Sequence, residues 1–159
     1  MRVEEIRGRD DYTRLSDISA EYLKRVVASE DRRFYYHLGV DPIAITRAVV
    51  HNLRAGRLIE GGSTITQQLA KNMFFSEERT CSRKVAEVLA ALALERALTK
   101  NDILELYCNI TYFGSGCYGI AAAADYYYGV APAALDAAEA AALVHTLPAP
   151  NVLNPQLAA

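Results

Sequence analysis

Helix punctuation, with almost no strand alternation, is the feature that most constrains this chain. Side chains that cap a helix recur just ahead of apolar residues spaced three and four apart, which is the helical period. Ser19 precedes Tyr22, Leu23, Val26 and Val27, a face that runs towards Glu30. Asp41-Pro42 sets a capping carboxylate before a proline at the first helical position, and Ile45, Ala48, Val49 and Leu53 follow until Gly56 stops the segment. Thr64 and Gln67 can close a capping box, as can Thr99 and Asp102 ahead of Ile103, Leu104 and Leu106. Ser82 opens a longer helix ending near Thr99, with Val85, Leu89, Leu92 and Ala93 expected to face inward. Ile120 to Tyr128 reads helical with Gly129 as its stop, and Asp136 to Leu147 is an alanine-rich last helix closed by Pro148 and Pro150. The expectation is an all-α fold of about seven short helices.

The 159 residues suit one domain, whose folding removes roughly two-thirds of the extended chain's surface from water. A composition of 52% hydrophobic and 23% charged residues excludes a disordered segment, a collagen-like fibre and a disulfide-dense miniprotein. A net charge of −2 argues against bulk attraction to nucleic acid, so none is expected as a partner. The charged start, MRVEEIRGRDDYTRLSD, has no signal-peptide core, and no run of 18 apolar residues reads as a membrane span. Cys81, Cys108 and Cys117 form no CxxC or Cys/His cluster and are expected to be buried thiols acting as small apolar residues. No metal site is expected.

Chemistry concentrates at two acidic positions and one basic group. Glu30-Asp31 stands where the first helix runs out, just before Phe34, Tyr35, Tyr36 and His37. Such a pair is usually a solvated helix end, but a carboxylate among aromatic side chains is desolvated, which raises its pKa. His37 reads as a hydrogen-bonded structural histidine. Gly61-Gly62-Ser63-Thr64 opens a helix whose free amides and positive dipole end favour an anion. Gln67 and Lys71 are four apart, so both are expected on one face. Arg79, Arg83 and Lys84 follow, with Glu87 one turn beyond Arg83. Arg83 and Glu87 alone would be a surface ion pair. The cations together suit a phosphorylated ligand, bound or turned over, although the P-loop spacing is missing.

These segments resemble, in order, the five motifs of the peptidoglycan glycosyltransferases. That family includes the lipid II polymerases of bifunctional penicillin-binding proteins and the monofunctional transglycosylases. ASEDRRFYYHLGVD (28–41) resembles the first motif, GGSTITQQLAKN (61–72) the second and RKVAE (83–87) the third. KNDILELYCN (100–109) is similar to the fourth and GIAAAADYYYG (119–129) to the fifth. Cys108 stands where leucine is usual, and Tyr128 where phenylalanine is.

The resemblance implies a lysozyme-like helical fold with a larger lobe and a small membrane-facing jaw between the first two motifs, roughly Val40 to Glu60. It implies that Glu30 is the general base and Glu87 the second essential glutamate. Ser63, Gln67, Gln68, Lys71, Arg79 and Arg83 would hold the donor's diphosphate and sugars, and Asp31, Phe34, Asn72, Lys84 and Asn109 would order the cleft. The implied reaction polymerises lipid II, on an acceptor glycan strand, into β-1,4 glycan with inversion and release of undecaprenyl pyrophosphate. No cofactor is required, with room for a divalent cation to stimulate at the pyrophosphate. The implied setting is the extracytoplasmic face of the bacterial cytoplasmic membrane, with the membrane surface and a moenomycin-type phosphoglycolipid inhibitor as further partners. The motifs lie within 28–155, so one glycosyltransferase domain over 1–159 is expected, with the family's amino-terminal anchor and closing helix missing. Two alternatives remain: a non-catalytic module binding lipid-linked pyrophosphate or glycan, and a muramidase-like hydrolase.

Overall fold

The computed structural model describes residues 2–57, 61–75 and 81–157, without the side chains of Cys81 and Leu157. The fold is all-α. Its helices are α1 (Val3–Arg7), α2 (Ala20–Glu30), α3 (Pro42–Ala55), α4 (Ile65–Phe74), α5 (Cys81–Ala97), α6 (Lys100–Ile110), α7 (Ile120–Tyr128) and α8 (Ala137–Thr146), with four short 3₁₀ turns between and after them. Among the described residues β-pairing is limited to one isolated bridge, Tyr112 to Tyr118. No described helix is long and apolar enough to cross a membrane.

The expected caps form. Asp41 Oδ1 accepts the amides of Ile43 and Ala44 at 3.0 and 3.2 Å, and Gly56 ends α3 in the left-handed region at φ 65°. Reciprocal capping boxes open α4, α6 and α8 at Thr64, Thr99 and Asp136. Ser19 does something else. Its hydroxyl donates 2.9 Å to the Leu135 carbonyl, so it ties the start of α2 to the turn before α8 instead of capping its own helix. Helix α1 falls outside the periodic pattern because five residues hold barely one turn; buried Ile6 and an ion pair from Arg7 to Asp102 at 2.5 Å fix it against α6.

Helix α4 is central, packed on α5 and α6, while α2 packs on α8. Tyr22, Val26, Ile65, Leu69, Ile103, Leu106, Tyr107 and Leu143 are fully buried, and each large aliphatic side chain among them contributes about 2 kcal/mol through lost water contact. Gly119 lets the start of α7 lie against the end of α6: its φ is +89°, and a Cβ there would sit 2.5 Å from the Asn109 carbonyl oxygen.

Two expectations about faces come out differently. The inward face of α5 is Glu87, Ala91 and Leu94, whereas Val85 is 62% and Leu89 63% exposed and Ala93 also faces outward. Alanine, valine and leucine surround this helix, so the sequence pattern does not single out one side. In α3, only Ala48 of its 14 residues is buried, and Ile43, Ile45, Val49, Val50 and Leu53 all reach solvent. This helix is the least enclosed part of the fold. Of the cysteines, Cys108 and Cys117 are free and buried, and burial pushes both thiols above their ordinary range. The Cys81 side chain lies outside the described residues.

Candidate active site

A cleft of about 700 Å³ opens between the end of α2, the inner side of α3 and the Gly61–Thr64 segment that leads into α4. Glu30, Asp31, Ser63, Thr64 and Gln68 line it, together with Arg32, Arg33, Asp41, Arg47 and His51. Glu30 is the last residue of α2, so its carboxylate leaves the helix at the point where the backbone turns away. Gln68 Nε2, one turn into α4, donates to Glu30 Oε2 at 3.0 Å. Behind Gln68, the fully buried Tyr107 hydroxyl of α6 donates to its Oε1 at 3.2 Å. Burial raises the Glu30 pKa, the Gln68 hydrogen bond lowers it in part, and the adjacent Asp31 charge raises it again. The Glu30 charge in turn helps to disfavour ionisation of two fully buried core tyrosines, Tyr22 and Tyr107. Phe34 is fully buried too, set edge-on to His37 with the Lys100 ammonium 4.5 Å from its ring centroid.

Asp31 is turned inward. Its Oδ2 accepts the His37 imidazole at 2.8 Å and the Ile65 amide, the first residue of α4, at 3.0 Å. His37 Nδ1 accepts the Gly39 amide at 3.1 Å, which leaves Nε2 to donate to Asp31 and makes His37 the structural histidine expected of it. Thr64 completes the junction: its hydroxyl donates to the Gly39 carbonyl at 2.7 Å and accepts the Gln67 amide. The segment after α2 is thus pinned to the start of α4 at two points, Asp31 to Ile65 and Gly39 to Thr64.

The basic group extends this junction outward. Lys84 Nζ donates to Ser63 Oγ at 2.8 Å and lies 3.1 Å from Glu87 Oε2, while Arg83 Nε lies 2.9 Å from Glu87 Oε1. Glu87 is only 2% exposed. The pair with Arg83 is therefore no surface ion pair, and Glu87 holds both cations from the buried side. Lys71 and Asn72 are exposed on α4, and Arg79 lies outside the described residues.

Gln67, expected to hold the donor, and Asn109, expected to order the cleft, are both buried and hydrogen-bonded within the fold. Gln67 is 2% exposed, and its Oε1 accepts the Thr64 amide at 3.0 Å, so it does not share an outward face with Lys71. Helical spacing alone cannot show that a side chain at the third position folds back to cap its own helix. Asn109 is buried too; its amide group donates to the Thr13 and Glu105 carbonyls, and its oxygen accepts the Thr13 amide, all at 2.8 Å. It braces the amino-terminal segment against α6. Conversely, sequence reasoning missed His51, which with Arg47 at i, i+4 spacing on α3 forms one face turned to the cleft. Arg33, 3.1 Å from Asp41 Oδ2, was also missed.

Comparison with known proteins bears on this arrangement. The sequence model described as Transglycosylase matches residues 2–159. Penicillin-binding protein 1A of Aquifex aeolicus is 49% identical over 144 residues, covering 91% of this chain and 20% of the relative. Penicillin-binding protein 1A of Escherichia coli is 47% identical over 141 residues, 89% of this chain and 17% of the relative. Penicillin-binding protein 1F of Bacillus subtilis is 43% identical over 143 residues, 90% and 20% respectively. The chain thus spans about a fifth of the length of these relatives.

Proposed function

The chain belongs to the transglycosylase family, and from that premise we propose that it is a peptidoglycan glycosyltransferase that polymerises lipid II into β-1,4 glycan strands. The observation that carries this reading is a desolvated carboxylate, Glu30, set in an open cleft and held by Gln68, with a cationic group built behind the Gly61–Thr64 segment.

In this reading Glu30 Oε takes the proton from the 4-hydroxyl of the acceptor N-acetylglucosamine as that oxygen attacks the anomeric carbon of the donor. The new C1–O4 bond forms on the face opposite the breaking C1–O bond, which inverts configuration. Undecaprenyl pyrophosphate leaves with the bonding electron pair. A pyrophosphate departs without a strong general acid, so cations suffice to stabilise its growing charge. Lys84 and Arg83, oriented by Glu87, serve this end together with Lys71 and Arg79, while Ser63 and Gln68 hold the donor. A single positioned base contributes about 10²–10⁴-fold to such a step. No cofactor enters it, and a divalent cation would act only by adding positive charge at the pyrophosphate.

The exposed apolar side chains of α3 beside Arg47 and Arg54 support its docking on a membrane surface, apolar groups in the leaflet and arginines at anionic headgroups. In this reading the cleft works at the extracytoplasmic face of the bacterial membrane, where a moenomycin-type phosphoglycolipid would compete for the donor's diphosphate subsite. Incubating the protein with lipid II in detergent and resolving the products on a gel tests the reading: a ladder of glycan strands is expected. Cleavage of finished peptidoglycan with no polymer made would mark a hydrolase. Tight lipid II binding with neither product would leave a non-catalytic binding module.

A further inference from the structure

Two tyrosine hydroxyls are buried near Glu30, and they differ in one respect. Tyr107 donates to Gln68 Oε1, whereas the Tyr22 hydroxyl has no hydrogen-bond partner among the described residues. Both rings are fully buried, and neither lines the cleft. Burial raises the pKa of both hydroxyls well above the usual value, so each keeps its proton and remains a donor.

We propose that Tyr107 is a positioning residue for Glu30, holding the Gln68 carboxamide with its NH₂ group on the carboxylate. A carboxamide can turn over about its last bond, and the two orientations present opposite chemistry to Glu30. With Nε2 forward it stabilises the ionised carboxylate, the form that accepts a proton. With Oε1 forward it sets oxygen against oxygen and favours the protonated form, which cannot act as a base. The Tyr107 proton rewards the first orientation, because only then does Oε1 meet a donor at the back of the pocket. Donation into Oε1 also polarises the amide and strengthens its N–H donation at the other end. Without that hydroxyl, Oε1 of the half-buried Gln68 would lose its donor and the carboxamide its preference.

The other charged and titratable groups about Glu30 are fixed from different directions. Asp31 follows it in the chain and is bound to His37 and Ile65; Arg32, Arg33 and Asp41 lie on the segment beyond; Arg47 and His51 face the cleft from α3; Tyr22 stands two turns back along α2. None of these is joined to Gln68 by a hydrogen bond among those described, so a change at Tyr107 reaches Glu30 by one identifiable route.

The inference rests on the reading of Glu30 as the base, but its test does not. The Glu30 carboxyl carbon, assigned by its loss in Glu30→Gln, is titrated by NMR in ¹³C-glutamate-labelled full-length chain. Tyr107→Phe should move the midpoint up by roughly half a pH unit, and Gln68→Leu should move it further in the same direction. Adding Tyr107→Phe to Gln68→Leu should change nothing more, because the route is already cut. Tyr22→Phe, which removes an equally buried hydroxyl, should leave the midpoint nearly in place. In turnover, Tyr107→Phe should carry the acid limb of kcat upward by the same amount while KM for lipid II holds. The wild type supplies a reading that needs no variant: the Gln68 Nε2 protons should exchange slowly with solvent and shift as Glu30 titrates. Equal midpoints in wild type and Tyr107→Phe, a full further shift in the double variant, or rapidly exchanging Gln68 protons blind to the titration would each overturn the proposal. Shifted midpoints in a protein that makes no polymer would sustain the positioning of Glu30 and refute the enzymatic reading instead.

Discussion

The Asp31 carboxylate accepts the Ile65 backbone amide at 3.0 Å, so the residue next to Glu30 serves as a cap for the helix that carries Gln68. One oxygen thereby fixes the distance between the two partners of the central hydrogen bond. Asp31 also sits at the positive end of the α4 dipole, where a negative charge is favoured.

Replacing Asp31 with alanine strands two buried donors, the Ile65 amide and His37 Nε2. The expected cost is about 3 kcal/mol of stability and ~10²-fold in kcat, since a base displaced by about 1 Å works poorly. Asp31→Asn keeps an oxygen for both donors and should retain most of each. Urea denaturation and initial rates on lipid II measure the two effects; an alanine variant as stable and as fast as wild type would remove Asp31 from this role.

Glu30→Gln should make the protein more stable at neutral pH. Burial raises the carboxyl's folded-state pKa, so the folded chain holds this proton more tightly than the unfolded chain does. Stability from this group is therefore present below the ordinary glutamate value of 4.5 and is lost as pH rises from there through the folded-state value. The gain in Tm on substitution should appear above that window and vanish below it. The same shift places the acid limb of activity above pH 4.5.

The adjacent glutamines should separate cleanly. Gln67→Ala opens the Thr64 capping box and costs about 1 kcal/mol of stability, with KM for lipid II little changed. Gln68→Ala should depress kcat, at a cost of about 1 kcal/mol of stability because the buried Tyr107 hydroxyl loses an acceptor. Asn109→Ala should behave like the Gln67 variant but more severely, at about 3 kcal/mol for three hydrogen bonds. A loss of substrate affinity without loss of stability at Gln67 or Asn109 would restore either to the ligand site.

Most of the helical skeleton was legible because its signals are local. Asp41-Pro42, Thr64 with Gln67, and Thr99 with Asp102 act within one turn of themselves, and Gly56 and Gly129 end their helices in the left-handed region. What the sequence concealed depends on distant partners. The exposure of Val85 and Leu89 follows from where α4 meets α5, not from any periodicity in a helix apolar on all sides. Ser19 has a capping residue's chemistry, but its hydroxyl donates to the Leu135 carbonyl, 116 residues away, instead of accepting an amide at its own helix start. At the site, a resemblance to family motifs could single out Glu30 and Gln68, but it could not say that Gln67 turns inward while its neighbour turns to the cleft. Tyr107 reads as one more core aromatic until its hydroxyl is seen 3.2 Å from Gln68.

Helix α3 should bind membranes through its uncovered face. Ile43→Ser with Val50→Ser removes two exposed apolar side chains without touching Ala48, the buried contact. Co-sedimentation with anionic vesicles should drop several-fold, and folding should be unaffected because neither residue belongs to the core. Equal sedimentation of variant and wild type would contradict a membrane role for this helix.

The central claim, that Glu30 is the base of a polymerising reaction, is tested most directly by setting Glu30→Gln beside the wild type on lipid II, with binding of a moenomycin-type phosphoglycolipid measured on both. Glutamine keeps the shape and the contact with Gln68 but cannot take the acceptor's proton. The wild type should build glycan strands and the variant none, while both bind the inhibitor comparably. A Glu30→Gln protein that lengthens strands at near wild-type rate would contradict the account.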